Sequence, residues 1–169
     1  MRTRLFVLLS MLLPTAIAAQ SASTGCPAAK PGTVHVRGDV PKPFDLDSTN
    51  WNQFPQVSVS EQGHGTPAGT YSGIPLSALL VRAGMPQGGE LRGKSVAQVV
   101  VVEASDGYRA SFGLAELDTA FVERAVLLAN RFDGKPLEKD YGPFQVIVQH
   151  EKRHARWVRE VTCIRVVTP

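Results

Sequence analysis

Residues 96 to 104 read VAQVVVVEA, and the four valines in a row at its centre leave little choice of structure. β-Branched side chains are stiff at χ1 and crowd a helix, whereas they pack well on a pleated surface. A strand apolar on both of its faces must also be covered on both faces. The chain is therefore expected to be built around a sheet with packing on each side. Ser105-Asp106-Gly107 then supplies turn residues, and Tyr108 to Phe112 runs back, so the two runs are expected to pair as a hairpin.

Other elements can be set around that hairpin. TVHVR (33–37) and QVSVS (56–60) alternate like strands. EQGHGTPAG (61–69) is polar and glycine-rich and is expected to be a surface loop. PLSALLVRA (75–83) has helical spacing, with proline at its start and Gly84 beyond its end. Leu114 to Thr119 predicts a short helix and Ala125 to Phe132 a strand, followed by a turn at Asp133-Gly134-Lys135-Pro136. Phe144 to Gln149 and Arg156 to Val167 are expected as the last strands. No repeat or linker interrupts this order, so the expectation is one α+β domain with a mixed β-sheet or barrel-like core and a few short helices.

Arg2 and Arg4, the apolar run Leu5 to Leu13 and the small residues Ala16-Ile17-Ala18 follow one another as in a secretory signal peptide. Thr3 separates the two arginines, which points to general secretion rather than twin-arginine export. The apolar run is short of the ~20 residues a bilayer span needs, so no span is expected after cleavage. The expected organisation is a signal peptide at 1–19, a leader at 20–32 and a domain at 33–169, in a periplasmic or secreted protein. Without Arg2 and Arg4, Lys plus Arg falls from 18 to 16 against 15 acidic residues, which excludes a nucleic-acid footprint. Cys26 and Cys163, near the two ends of that product, either pair as a disulfide or remain thiols; their positions in the sequence leave both open.

QHEKRHARWV (149–158) contains HEKRH, the spelling of the H-E-x-x-H zinc signature. That chemistry needs both histidines one turn apart on a helix, with the glutamate activating a zinc-bound water. Here Val146, Ile147 and Val148 run directly into the motif, another strand follows within a few residues, and no third ligand is evident downstream. The segment is expected to be a solvated hairpin loop.

In order along the chain, VHVRGDVPKPFDLD, QFPQVSVS, TYSGIPLSALLVRAG, EASDGYRASFGLAELD, AVLLANRFDGKPLEKDYGPFQVIVQ and ARWVREVTCIRV resemble the cofactor-binding domain of the sulfite oxidase family of molybdopterin oxidoreductases. The resemblance runs from about Val34 to Val167. It implies the sulfite-oxidase fold and molybdopterin as the cofactor. It also implies a cysteine thiolate on molybdenum just after the strand QVSVS, where this chain has Glu61-Gln62-Gly63-His64-Gly65. An arginine of the family corresponds to Gln145, its glycine-bearing loop to QHEKRHA, and a family lysine to Arg156.

The candidate cofactor-binding residues are Arg156, Arg109, Tyr108, Asp106 and His64. Asp106 and Tyr108 either line a ligand site at the hairpin end or serve as turn residue and packing. Arg109, Lys152, Arg153, Arg156 and Arg159 either receive an anion or form a solvated face paired with Glu151 and Glu160. His64 occupies the loop where the resemblance places the metal ligand. Trp157 is expected in the core with its N–H partnered. The missing thiolate favours a binding or sensing module for a small anion or a periplasmic or membrane protein partner. The alternative is a periplasmic oxidoreductase that holds a molybdopterin-type cofactor without cysteine, through Arg156, Arg109 and backbone groups.

Overall fold

The structure is a computed structural model that describes residues 25–28, 30–63 and 67–169. The expected signal segment (1–19) and His64 lie outside the described residues. Among these described residues, ten strands form two five-stranded sheets, with one α-helix and several 3-10 turns between them. The first sheet has the order β2 (Phe44–Leu46), β1 (Val34–Gly38), β10 (Val161–Val167), β5 (Val99–Ala104), β6 (Arg109–Gly113). It is mixed, because β1 and β10 run parallel while the other pairs are antiparallel. The second sheet sets β3 (Val57–Gln62) beside β4 (Ala68–Pro75), and β4 beside β7 (Val126–Phe132). The far edge of β7 is shared: β9 (Gln145–Val148) pairs with it from Val126 to Ala129, and β8 (Lys135–Pro136) pairs with Arg131 and Phe132.

The expected mixed β core is thus present as two open sheets. In β5, Val100 and Val102 are fully buried while Val99 and Val101 on the other face are only partly so, short of the full cover expected on both faces; the β5–β6 hairpin forms as the turn residues indicated. The strand starts later than expected, at Val99, because residues 93–97 form a 3-10 turn with Gly93 at positive φ. Helix α1 (Leu76–Arg82) buries Leu76, Leu79 and Leu80, and Gly84 follows it at φ 85°, as its flanking proline and glycine indicated.

Three expectations need correction. The loop expected at 61–69 is shorter: β3 continues to Gln62 and β4 begins at Ala68, so four of those nine residues belong to strands. An outer strand with one solvent face tolerates the polar residues that suggested a loop. The segment 150–160 is not a hairpin loop, since β9 and β10 belong to different sheets and the segment carries the chain between them. Strand β10 correspondingly starts at Val161, not Arg156; residues 154–156 form a 3-10 turn.

Gly73 explains the close approach of β4 and β7. A Cβ there would lie 2.1 Å from the Leu128 carbonyl oxygen, beside the register shift between Ser72 and Gly73. Only glycine fits that contact without parting the strands.

Cys26 and Cys163 are joined as a disulfide that fastens residues preceding β1 onto β10. Asp45, His35, Cys163 and Glu103 are successive register partners, so they form one transverse row across four strands. At its end, His35 Nδ1 is 2.8 Å from Asp45 Oδ1, and Arg37 Nη2 also donates to that carboxylate. Partial burial alone would raise the Asp45 pKa, but the hydrogen bonds from His35 and Arg37 and the Arg37 charge outweigh it and hold the carboxyl below its ordinary value. A carboxyl depressed in this way contributes stability above its unfolded pKa of about 4 and loses it as pH falls through the folded value. Thermal melts between pH 5 and 2 are expected to show Asp45→Asn with a shallower acid limb than the parent chain; parallel limbs would contradict this.

Candidate functional site

The segment after β9 forms one wall of a cleft. Its shape is fixed by contacts to several other elements. Glu61 of β3 accepts the His150 N–H at 2.9 Å, and Gln149 Oε1 accepts the Ala125 N–H at 3.0 Å. His150 itself is exposed with φ 58°, and His154 opens the 3-10 turn, so the HEKRH spelling has no helix. Among the described residues, no group of three His, Cys, Asp or Glu side chains is placed to hold a metal ion.

Arg156 sits at the centre of an ion network. Its Nε and Nη2 donate to Glu151 Oε1 at 2.8 Å, and its Nη1 donates to Glu116 Oε1 at 2.8 Å. Arg124 Nη2 donates to the other Glu116 oxygen at 3.1 Å, and the Arg156 guanidinium lies over the Phe112 ring, 4.7 Å from its centroid. Burial alone would lower the Arg156 pKa; the hydrogen bond and charge of Glu151, then those of Glu116, outweigh it and raise it. Arg156 is thus a structural cation whose donors already serve carboxylates of the same chain. Of the expected pairings, Glu151 is present, while Glu160 instead accepts from the Ser105 hydroxyl.

Asp106 serves the turn, as one of the two readings expected. Asp106 Oδ1 accepts the Tyr108 N–H at 2.8 Å, and the Tyr108 hydroxyl donates to the Ala155 carbonyl at 2.6 Å, tying the hairpin end to the cleft wall. Tyr108 is half-exposed rather than packed against the sheet. Both residues also line a cavity of about 360 Å³ with Asp140, His154, Trp157 and Arg159. Arg109 is apart from this: it is mostly exposed, 3.4 Å from Glu103. Trp157 is buried and its Nε1 donates to the Val148 carbonyl at 3.2 Å, as expected of a core indole.

The neighbouring cavity, about 310 Å³, is where the sheets and the wall meet. It is lined by Gly63, Tyr71, Tyr141, Gln145, Arg153, His154, Ala155, Trp157 and Arg159. A further cavity of about 330 Å³ shares Tyr71, Tyr141 and Gln145 and extends past Phe132 and Lys135. His154 stacks on Trp157 at 4.1 Å, Tyr71 meets Trp157 edge-on at 5.6 Å, and Arg159 lies over Tyr141 at 4.4 Å. Gln145 opens β9 and pairs with Ala129, where β7 passes from β9 to β8. It is only 3% exposed, and its Oε1 is buried with no hydrogen-bond partner, a condition that costs about 1–3 kcal/mol.

Tyr71 and Tyr141 carry no site signal in the sequence, and His154 stands out there only within the HEKRH spelling. Alternating strand residues look like core whether they face a core or a cavity, and the connection from β8 to β9 that carries Tyr141 has no periodicity to read. In the sequence, Gln145 stands out only where the resemblance implies an arginine.

Two packed sheets with a cleft at the end of β3 and the start of β9 define a molybdopterin-domain architecture. Residues 26–168 match the family profile described as the oxidoreductase molybdopterin binding domain, and the chain belongs to that family. Among solved structures, the fold is similar to the sulfane dehydrogenase SoxCD from Paracoccus pantotrophus, with a TM-score of 0.61 at 17% identity. That likeness covers 81% of this chain and 38% of the SoxCD chain, so this chain spans well under half of that length. A search of curated proteins finds no match.

Proposed function

We propose that the protein is an exported binding or sensing module that keeps the molybdopterin-domain fold and uses its cleft for a small anion or a protein partner, without thiolate-ligated molybdenum. One observation carries this reading: the chain's two cysteines are bonded to each other, and neither lines the cleft. The side chains present therefore do not fit a thiolate-held metal, since that ligation needs a free sulfur. Arg156 supports the reading, because a diphosphate would have to compete with Glu116 and Glu151 for its donors. Export is supported by the composition of residues 1–19 and by a disulfide that favours an oxidising compartment. Among the described residues, no helix is long and apolar enough to cross a membrane.

The test is direct. Protein produced with its own leader in a molybdenum-replete host is expected to contain neither molybdenum by elemental analysis nor pterin by fluorescence after acid oxidation. Near-stoichiometric amounts of both would reinstate the alternative, a periplasmic oxidoreductase with a cofactor held by groups other than cysteine.

A further inference from the structure

We propose that the cavity between Tyr71, Tyr141, Gln145 and Trp157 binds a small aromatic carboxylate that carries a hydroxyl or amino group on its ring. The inference rests on the metal-free reading above and adds the chemical class of the ligand. Charge is the first argument. Arg153, Arg159 and His154 line the cavity, and among the described residues no acidic side chain does. Neither Arg153 nor Arg159 forms an ion pair among the described residues, whereas Arg156, Arg124, Arg109, Arg165 and Arg37 all do. Arg159 also borders the adjoining cavity with Asp106 and Asp140, yet is not ion-paired to either; two guanidinium groups free of ion pairs favour an anion, and a carboxylate matches their fork geometry.

Shape is the second argument. The Tyr71 and Trp157 rings meet at 83° and His154 lies against Trp157, so the walls are flat aromatic faces and edges rather than branched aliphatic chains. Flat walls accept a planar ring, by stacking on one face and edge contact with another. Arg159 is laid over Tyr141, which holds its charge at the rim. A space of about 310 Å³ is at the lower end for ligand sites and suits one or two rings.

The third argument is Gln145. It is the only polar residue of the strand Gln-Val-Ile-Val, it is buried, and its carbonyl oxygen has no partner. A half-turn of the amide about its last torsion exchanges its NH2 and its oxygen, so it can either donate or accept. A ring hydroxyl or amine is the complement of that group, while the carboxylate meets the arginines.

Isothermal titration of the metal-free protein with 4-hydroxybenzoate, benzoate and cyclohexanecarboxylate tests the assignment. The first is expected to bind more tightly than the second, and the second more tightly than the third. Arg153→Gln with Arg159→Gln is expected to weaken 4-hydroxybenzoate about tenfold or more. Gln145→Leu is expected to abolish the preference for 4-hydroxybenzoate over benzoate. Should Gln145→Leu not fold, the arginine pair still decides, because both residues are exposed and neither forms an ion pair among the described residues. Metal-free protein that shows no binding of 4-hydroxybenzoate at millimolar concentration, or binding unchanged in the arginine variant, overturns the inference and leaves the binding-module reading standing. Molybdenum with pterin in the same batch overturns that reading itself.

Discussion

Replacing the Cys26–Cys163 disulfide, as Cys26→Ser with Cys163→Ala, is expected to lower the stability of the domain by about 5 kcal/mol. The bridge joins residues 137 apart in sequence, nearly the whole described chain, so it removes a large loop entropy from the unfolded ensemble. Alanine is chosen at 163 because that side chain is only 1% exposed and a hydroxyl there would add the cost of an unpaired polar group. For a domain of this size the loss corresponds to roughly 10–20 °C in melting temperature. The shift that reductant causes in the parent chain and the shift of the double variant from the oxidised parent should agree. A shift of only a degree or two in both would show that the bridge constrains little in solution.

Arg156→Ala is expected to destabilise by about 2–3 kcal/mol, less than the loss seen on breaking a fully buried pair because the side chain is about a quarter exposed. Removing the cation strands Glu151, whose Oε2 is already buried without a partner. Glu116 keeps Arg124 and suffers less. The pattern of damage should therefore be specific: Glu151→Gln in the Arg156→Ala background is expected to recover part of the loss, giving a measurable coupling in a double-mutant cycle. Arg159→Gln should have the opposite profile, with little effect on stability and a clear effect on anion binding. If Arg156→Ala instead left the melt unchanged and abolished anion binding, Arg156 would be a ligand and not a brace.

The strands that read most plainly in the sequence are those with a strong local signal. The valine run of β5 and the proline and glycine flanking α1 needed no tertiary information. Strand β2, only Phe44–Leu46, is too short for a period to show, and β4 hides in Ala-Gly-Thr-Tyr-Ser-Gly-Ile-Pro because its glycines satisfy a close contact with β7 that only the packed sheet reveals. The site was legible in outline alone. Asp106, Tyr108 and Arg159 do line cavities, but the role of Arg156 depends on Glu116, forty residues away on the turn after β6. No spacing in the sequence joins the two.

The position of β10 has a consequence for biosynthesis. Among the described residues it is the last strand in sequence, and it is also the middle one of its sheet, between β1 and β5. The β1–β2 and β5–β6 pairs therefore have no common neighbour until residues 161–167 have been made and inserted. A sheet closed by its final segment has high contact order and cannot be completed while that segment is still being synthesised. Until then β1–β2 and β5–β6 are two separate ribbons, and the sheet is completed by the insertion of β10 between them.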